Sequence, residues 1–238
     1  DFTGQYGKFY KNYHNAVWYK NMEMQFNATA NKFGFPSVHE LKKQIAVKIK
    51  AYIQNGGFLF AMCSATDSFD IALSCFNVDI VHQIYDNTPI DSEYMSKINY
   101  DNGIAFENYN LYVDPTIYEY STIDIPPSHQ PVTRNAESDY FVLSEFSAKW
   151  DPVMSMLVQN HVSNINGFMG QTTGYDTNFL KSNVLILGQD PYSNQVKYIH
   201  GNVGKGTFTF LGGHDPEDYR HFIGDPPTNL DLHRNSPG

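Results

Sequence analysis

Residues 56–67, Gly56-Gly57-Phe58-Leu59-Phe60-Ala61-Met62-Cys63-Ser64-Ala65-Thr66-Asp67, decide the fold. The unbroken apolar run Phe58–Met62 predicts a short strand buried on both faces. Cys63 to Asp67 reads as a sharp turn into a second helix that continues through Phe69, Asp70, Ile71, Ala72 and Leu73. Upstream, Ser37 and Glu40 have capping-box spacing, Leu41, Ile45, Ile49 and Ile53 recur every four residues, and Lys42, Lys43, Lys48 and Lys50 fall mostly off that stripe. Gly56-Gly57 stops this helix. Helix, buried strand, turn and helix in succession predict an α/β fold with a parallel sheet.

Further out, residues 9–32 read as one helix rich in aromatics (Phe9, Tyr10, Tyr13, Trp18, Tyr19, Phe26), ended by Phe33-Gly34-Phe35-Pro36. From about 76 to 180 the periodicity is poor and prolines accumulate at Pro126-Pro127 and Pro131. This stretch reads as a long elaboration with a few antiparallel strands, Tyr140-Phe141-Val142-Leu143 among them. Regular structure resumes at Val184-Leu185-Ile186-Leu187 and continues in a hairpin of Val196–Ile199 and Thr207–Leu211, joined through Gly201 to Gly206. A phosphate loop is excluded there, because the glycine it needs five residues before Gly204 is Ile199. The expected organisation is a single α/β domain over residues 1–238, with its core in about 37–75 and 184–223.

The chain of 238 residues is long enough to bury a core, with 41% hydrophobic and only 17% charged residues and 17 each of Tyr and Phe, a globular balance. Sixteen Lys plus Arg against 25 Asp plus Glu give a net charge of −9, which argues against a nucleic-acid or anionic-membrane surface. The longest apolar run, Phe58 to Cys63, is far below the roughly 20 residues of a membrane span. Cys63 and Cys75 do not make a disulfide framework.

Cys63 stands where open α/β sheets place their chemistry, at the tip of a strand and the start of a helix. A helix N-terminus stabilises thiolate, and the first backbone N–H groups can hold an oxyanion. A plain buried hydrophobe is the competing reading of such a cysteine. The candidate base is His214, just past the last apolar strand, with Asp215, Glu217 or Asp218 to orient the imidazole. Asp67 and Asp70 complement the helix dipole. His214, His221, Asp215 and Asp218 lack the tight spacing of a metal motif, so no metal or other cofactor is expected. Leu187-Gly188-Gln189-Asp190-Pro191-Tyr192 resembles the water-activating motif of uracil-DNA glycosylases. Ser193 stands where that motif has His, and the second motif is absent, so a strand followed by a turn accounts for it better.

Two blocks carry a family resemblance. Gly56 to Asp67 resembles the strand-turn-helix of the ThuA-like family, close to G-G-G-x-x-G-x-H-S-A-T-D. Gly204-Lys205-Gly206-Thr207-Phe208-Thr209-Phe210-Leu211-Gly212-Gly213-His214-Asp215-Pro216-Glu217 resembles its second block, near G-K-G-R-x-x-Y-x-x-L-G-H-D-x-E. That family belongs to the class I glutamine-amidotransferase-like superfamily. The resemblance implies a flavodoxin-like, mostly parallel sheet. The chain departs from the pattern by carrying Cys63 where ThuA-like proteins usually have His. That is an amidotransferase's choice, yet Ala61 and Ala65 replace its flanking glycines and Glu217 lies three rather than two residues after His214. The chain is also similar to bacterial proteins labelled "asparagine synthetase B", although the N-terminal cysteine and the S-G-G-x-D-S loop of that chemistry are both missing.

These readings lead to a cysteine-dependent hydrolase or amidotransferase acting on a small amide or a sugar-derived carbonyl. Cys63 would be the nucleophile, His214 the base, Glu217 or Asp215 the orienting carboxylate, with Ser64 supplying an oxyanion N–H and Asp67 beside it. The alternative is a catalytically silent binding or assembly module on the same fold. A flavodoxin-like sheet should hold several strands before its elbow, whereas the 62 residues before Cys63 offer one. The remaining strands are expected from sequence preceding Asp1 or from another protein chain. Related proteins often begin with a secretion signal, which favours a periplasmic, envelope or secreted location over a cytoplasmic one.

Overall fold

The computed structural model describes residues 1–6, 9–125, 140–143, 164–166, 174–192 and 195–213. Among them the protein is mixed α/β, with helices α1 (Tyr10–Tyr13), α2 (Val17–Lys32), α3 (Val38–Gln54), α4 (Asp67–Ser74), α5 (Gln83–Asp86) and α6 (Tyr94–Lys97). The strands are β1 (Phe58–Met62), β2 (Tyr140–Leu143), β3 (Asn164–Asn166), β4 (Tyr175–Asp176), β5 (Leu185–Gln189), β6 (Gln195–Val203) and β7 (Gly206–Leu211). They form one sheet in the order β1-β7-β6-β5-β2-β3, curled as a half-barrel, with β4 also pairing to β6.

Only β1 and β7 are parallel among the described pairings, so the mostly parallel sheet expected from the sequence is met at that pair and not beyond it. The physical reason lies in the connections: a two-residue turn, Gly204-Lys205, joins β6 to β7, and so tight a link permits only antiparallel neighbours. Gly204 has φ +62 and its position admits no side chain, since a Cβ would lie 2.7 Å from the Gln54 carbonyl oxygen. The same carbonyl accepts from Lys205 N at 3.0 Å, so the hairpin tip docks on the end of α3 and satisfies one of its terminal acceptors.

Helix ends follow the sequence closely. Ser37 Oγ accepts from Glu40 N at 3.4 Å at the start of α3. Both α2 and α3 close in Schellman turns: Gly34 N and Phe35 N donate to Asn31 O and Ala30 O, and Gly56 N and Gly57 N to Ile53 O and Tyr52 O. Gly34 and Gly56 hold the required positive φ, +80 and +108. The single helix expected over 9–32 is broken, because Ala16 is extended (φ −71, ψ 140). The break lets Tyr10 and Tyr19, from either side of it, meet edge-on at 6.5 Å, and Tyr10 reaches Tyr85 at 5.9 Å.

Two burial expectations are corrected. β1 is not covered on both faces: Phe58 is 55% and Phe60 46% exposed, while Ala61 is buried. Leu59 and Ala61 align with Phe208 and Phe210 of β7 on the face that carries the core, whereas Phe58 and Phe60 align with Thr207 and Thr209 on the opposite face. The buried side of α3 is also rotated from the isoleucine stripe, with Ile45 exposed and Lys43 buried. Its lysines act as caps for distant carbonyls: Lys43 Nζ donates to Val78 O at 2.7 Å and Lys50 Nζ to Asn102 O at 2.6 Å. An ammonium so placed completes loop backbone that would otherwise be buried without donors.

The core gathers around Phe210, stacked on Phe106 at 6.4 Å, and Phe106 in turn meets Tyr175 at 5.1 Å. Phe69 of α4, Phe106, Tyr175 and Phe210 are all fully buried. Asp70, in the middle of α4, anchors the 104–106 loop over this core. Its Oδ1 accepts from Ile104 N (2.5 Å) and Ala105 N (3.0 Å) and its Oδ2 from Phe106 N (3.0 Å). Its role is thus an anchor, more specific than complementing the helix dipole. Among the described residues no helix is long and apolar enough to cross a membrane.

Candidate functional site

Cys63 follows the last residue of β1 and opens a single 3-10 turn, Cys63–Ala65, that leads into α4. Met62 is extended (φ −129, ψ 157), and Cys63 switches to φ +54, a left-handed conformation that L residues other than glycine adopt at a cost of about 1 kcal/mol. The turn is locked from behind. Thr66 donates to Cys63 O from its backbone N at 3.1 Å and from its Oγ1 at 2.7 Å. The Cys63 side is therefore set by backbone geometry, and the residue is 8% exposed.

Ser64 is half-buried, and its carbonyl accepts a short hydrogen bond from Ser68 Oγ. Ser68 Oγ also accepts from Phe2 N at 2.9 Å, which lays the segment Asp1–Tyr6 beside the elbow helix, with Phe2 edge-on to Phe69 at 5.3 Å. Asp67 is fully buried at the first position of α4.

Sequence reasoning missed Tyr175. It is fully buried, its hydroxyl faces the Thr66 side chain, and Asp67, Asp124 and Cys63 lie within electrostatic range. Burial holds this phenol well above its ordinary pKa, so it stays a neutral donor. No motif announces it, since Tyr175 comes from the 76–180 stretch. It is brought in by pairings that cannot be read locally: Tyr175 with Val196 of β6, and an isolated bridge to Asp124.

The parallel register sets Met62 beside Leu211, so the chain leaves β1 at Cys63 and β7 at Gly212-Gly213 on one edge of the sheet. Gly212 N donates to Lys197 O at 2.7 Å, and a Cβ on Gly212 would come within 3.2 Å of the Gly174 backbone, so Gly174 lies directly against this edge. His214, Asp215 and Glu217, like Asp218 and His221, lie outside the described residues. Of the residues singled out from sequence, the structure places Cys63, Ser64 and Asp67 together at the elbow.

The uracil-glycosylase-like stretch is a strand and a turn: β5 ends at Gln189, and Asp190 Oδ1 accepts from Tyr192 N at 2.8 Å beside an 87% exposed Tyr192. Cys75, at the far end of α4, is fully buried, and burial pushes its thiol up to about 12. Compared with known proteins, the chain matches no family model, no curated protein and no solved structure.

Proposed function

We propose that this chain is a ThuA-like, glutamine-amidotransferase-like domain whose Cys63 is the nucleophile of a hydrolase or amide transferase. The observation that carries the reading is the backbone of Cys63. A cysteine that merely filled space would have no need of φ +54 at a strand-to-helix corner. A nucleophile does, because that corner lifts the side chain clear of the strand and presents it in front of the next backbone N–H groups. The parallel β1–β7 pair, which brings Cys63 and the chain leaving β7 to one edge of the sheet, supports the flavodoxin-like part of this reading.

In the proposed reaction Cys63 Sγ attacks a carbonyl carbon while its proton passes to His214. The C=O electron pair moves onto an oxygen held at Ser64 N–H. Collapse expels the amine or alcohol, which takes its proton from His214, and water then hydrolyses the thioester. Glu217 or Asp215 orients the imidazole, and the neutral Tyr175 hydroxyl, with Asp67, shapes the polar wall. Small amides or sugar-derived carbonyls are the substrate class.

A silent binding or assembly module is the second reading, favoured by Phe58 and Phe60 exposed on a strand at the end of the sheet. Iodoacetamide labelling with peptide mass spectrometry separates the two, with Cys75 as the internal control. At pH 6.5 Cys63 should be alkylated at least about tenfold faster than free cysteine, and Cys63→Ala should remove about 10³-fold or more of any amide or ester hydrolysis. Labelling of Cys63 only above about pH 8.5, at the rate of an ordinary thiol, would sink the nucleophile.

A further inference from the structure

The first turn of α3, the loop after α4 and the end of α5 bring together three groups that the elbow does not use. One imidazole nitrogen of His39 and one carboxylate oxygen each of Asp79 and Asp86 lie within 4.8 Å of one another. The Ser37 cap starts α3 so that His39 points into the seam. Asp79 is oriented from behind by Val81 N on its Oδ1 (3.0 Å) and by Thr88 Oγ1 on its Oδ2 (3.0 Å), and Asp86 by Thr88 N on its Oδ1 (3.0 Å). Gly4 closes the other side. It has φ +85, and a Cβ there would lie 2.7 Å from His39 Cβ, so the segment Asp1–Tyr6 can pass only as glycine.

Two atoms in this seam are buried without a hydrogen-bond partner. They are Nδ1 of His39, whose side chain is 6% exposed, and Oδ2 of Asp86, whose side chain is 5% exposed. Buried polar atoms are almost always satisfied, and two of opposite ligand type facing one seam point to a missing partner. His39 Nε2 stands 3.5 Å from Asp86 Oδ2 and His39 Nδ1 4.0 Å from Asp79 Oδ1, and one ion takes only one of the two ring nitrogens. The three ligand atoms, one from each residue, span at most 4.8 Å, against about 3.4 Å between ligands around a tetrahedral zinc at 2.0–2.2 Å, so the seam must close by up to about 1.4 Å.

Charge points the same way. Glu40 Oε1 is 3.8 Å from His39 Nε2, and Lys43 Nζ is 3.7 Å from Glu40 Oε1. With His39 neutral, three carboxylates (Glu40, Asp79, Asp86) against one ammonium (Lys43) leave two negative charges, which one dication cancels. The neutral imidazole is the form that ligates, and a bound dication favours it.

We propose that His39, Asp79 and Asp86 bind one divalent cation of the zinc type, which staples the start of α3 to the 79–88 segment that carries α5. One nitrogen and two carboxylate oxygens suit a borderline ion better than Mg²⁺ or Ca²⁺, which favour all-oxygen shells. With three protein ligands and Asp79 a quarter exposed, the fourth position falls to water, and the ion ties α3 to α5 apart from the elbow.

The test uses the full chain stripped by chelator and titrated with Zn²⁺ by calorimetry. One saturable ion per chain is expected, with a rise in Tm that His39→Gln and Asp86→Asn each abolish, weakening binding by at least about a hundredfold. X-ray absorption of the zinc-loaded wild type needs no variant to fold, and should show a first shell of one imidazole nitrogen with oxygens at about 2.0–2.1 Å. Absence of a saturable site overturns the proposal, as does unchanged affinity in both variants. A first shell with several imidazoles or sulfur does so as well.

Discussion

The two cysteines sit at opposite ends of α4, twelve positions apart along the chain, and their surroundings differ in exposure, backbone and helix end. Cys63 is 8% exposed at the sheet edge, on a left-handed corner, with Thr66, Asp67 and Tyr175 about it. Cys75 is fully buried with ordinary backbone (φ −99, ψ 22), at the C-terminal end of the helix where the dipole is negative. One helix therefore separates a thiol on a strained corner at the sheet edge from a thiol in ordinary backbone within the core. The lesson is that address and backbone, not residue type, distinguish the two.

The labelling contrast is the largest expected effect, since a thiol held near 12 is about 10⁻⁵ thiolate at pH 7. Next in size is the alkaline behaviour of Cys75. Folding raises its pKa from an ordinary value of 9.0 to about 12, so the native state holds the proton more tightly than the unfolded chain. That stabilisation is complete below pH 9 and is lost as pH rises toward 12; it amounts to at most about 4 kcal/mol. Burial also raises Tyr6 to about 12, so the contribution is isolated by comparing urea midpoints of wild type and Cys75→Ala across that window. Their difference should shrink steadily above pH 9; parallel curves would show that Cys75 is not shielded. Smaller again is Asp70→Asn, between the two cysteines. An amide keeps one acceptor oxygen where the carboxylate used two for three backbone N–H groups, so a loss of about 2–3 kcal/mol is expected. The Cys63 to Cys75 labelling ratio in the folded fraction should not change, and a collapse of that ratio would make the elbow depend on the 104–106 anchor.

Local signals were legible and non-local ones were not. Ser37 with Glu40 and the glycines at 34 and 56 each write their structure into a few adjacent residues and form as read; the hairpin forms too, but its first strand runs on to Val203, so the connection expected over Gly201 to Gly206 narrows to Gly204-Lys205. The apolar run Phe58–Met62 gave the strand but not its neighbours. Whether a face is covered depends on what packs there, which periodicity does not encode. Lys43 and Lys50 looked like solvent residues because their carbonyl partners, Val78 and Asn102, are distant in sequence. For the same reason Cys63, Ser64 and Asp67 were visible as neighbours in one motif, while Tyr175 and the His39–Asp79–Asp86 cluster, assembled across tens of residues, were not.

The smallest effect tests the corner itself. At Cys63 a side chain occupies φ +54, where glycine is unstrained, so Cys63→Gly should be more stable than Cys63→Ala by about 1 kcal/mol. At Cys75, with φ −99, the order reverses, because glycine there only adds freedom to the unfolded chain and leaves a larger void; Cys75→Gly should be the less stable of its pair. Four urea titrations settle it. Opposite signs at the two ends of α4 would mean that the protein keeps a strained residue at Cys63 where glycine would be more stable, which is what a site retained for chemistry predicts and a space-filling cysteine does not. Equal signs would remove the backbone argument on which the elbow rests.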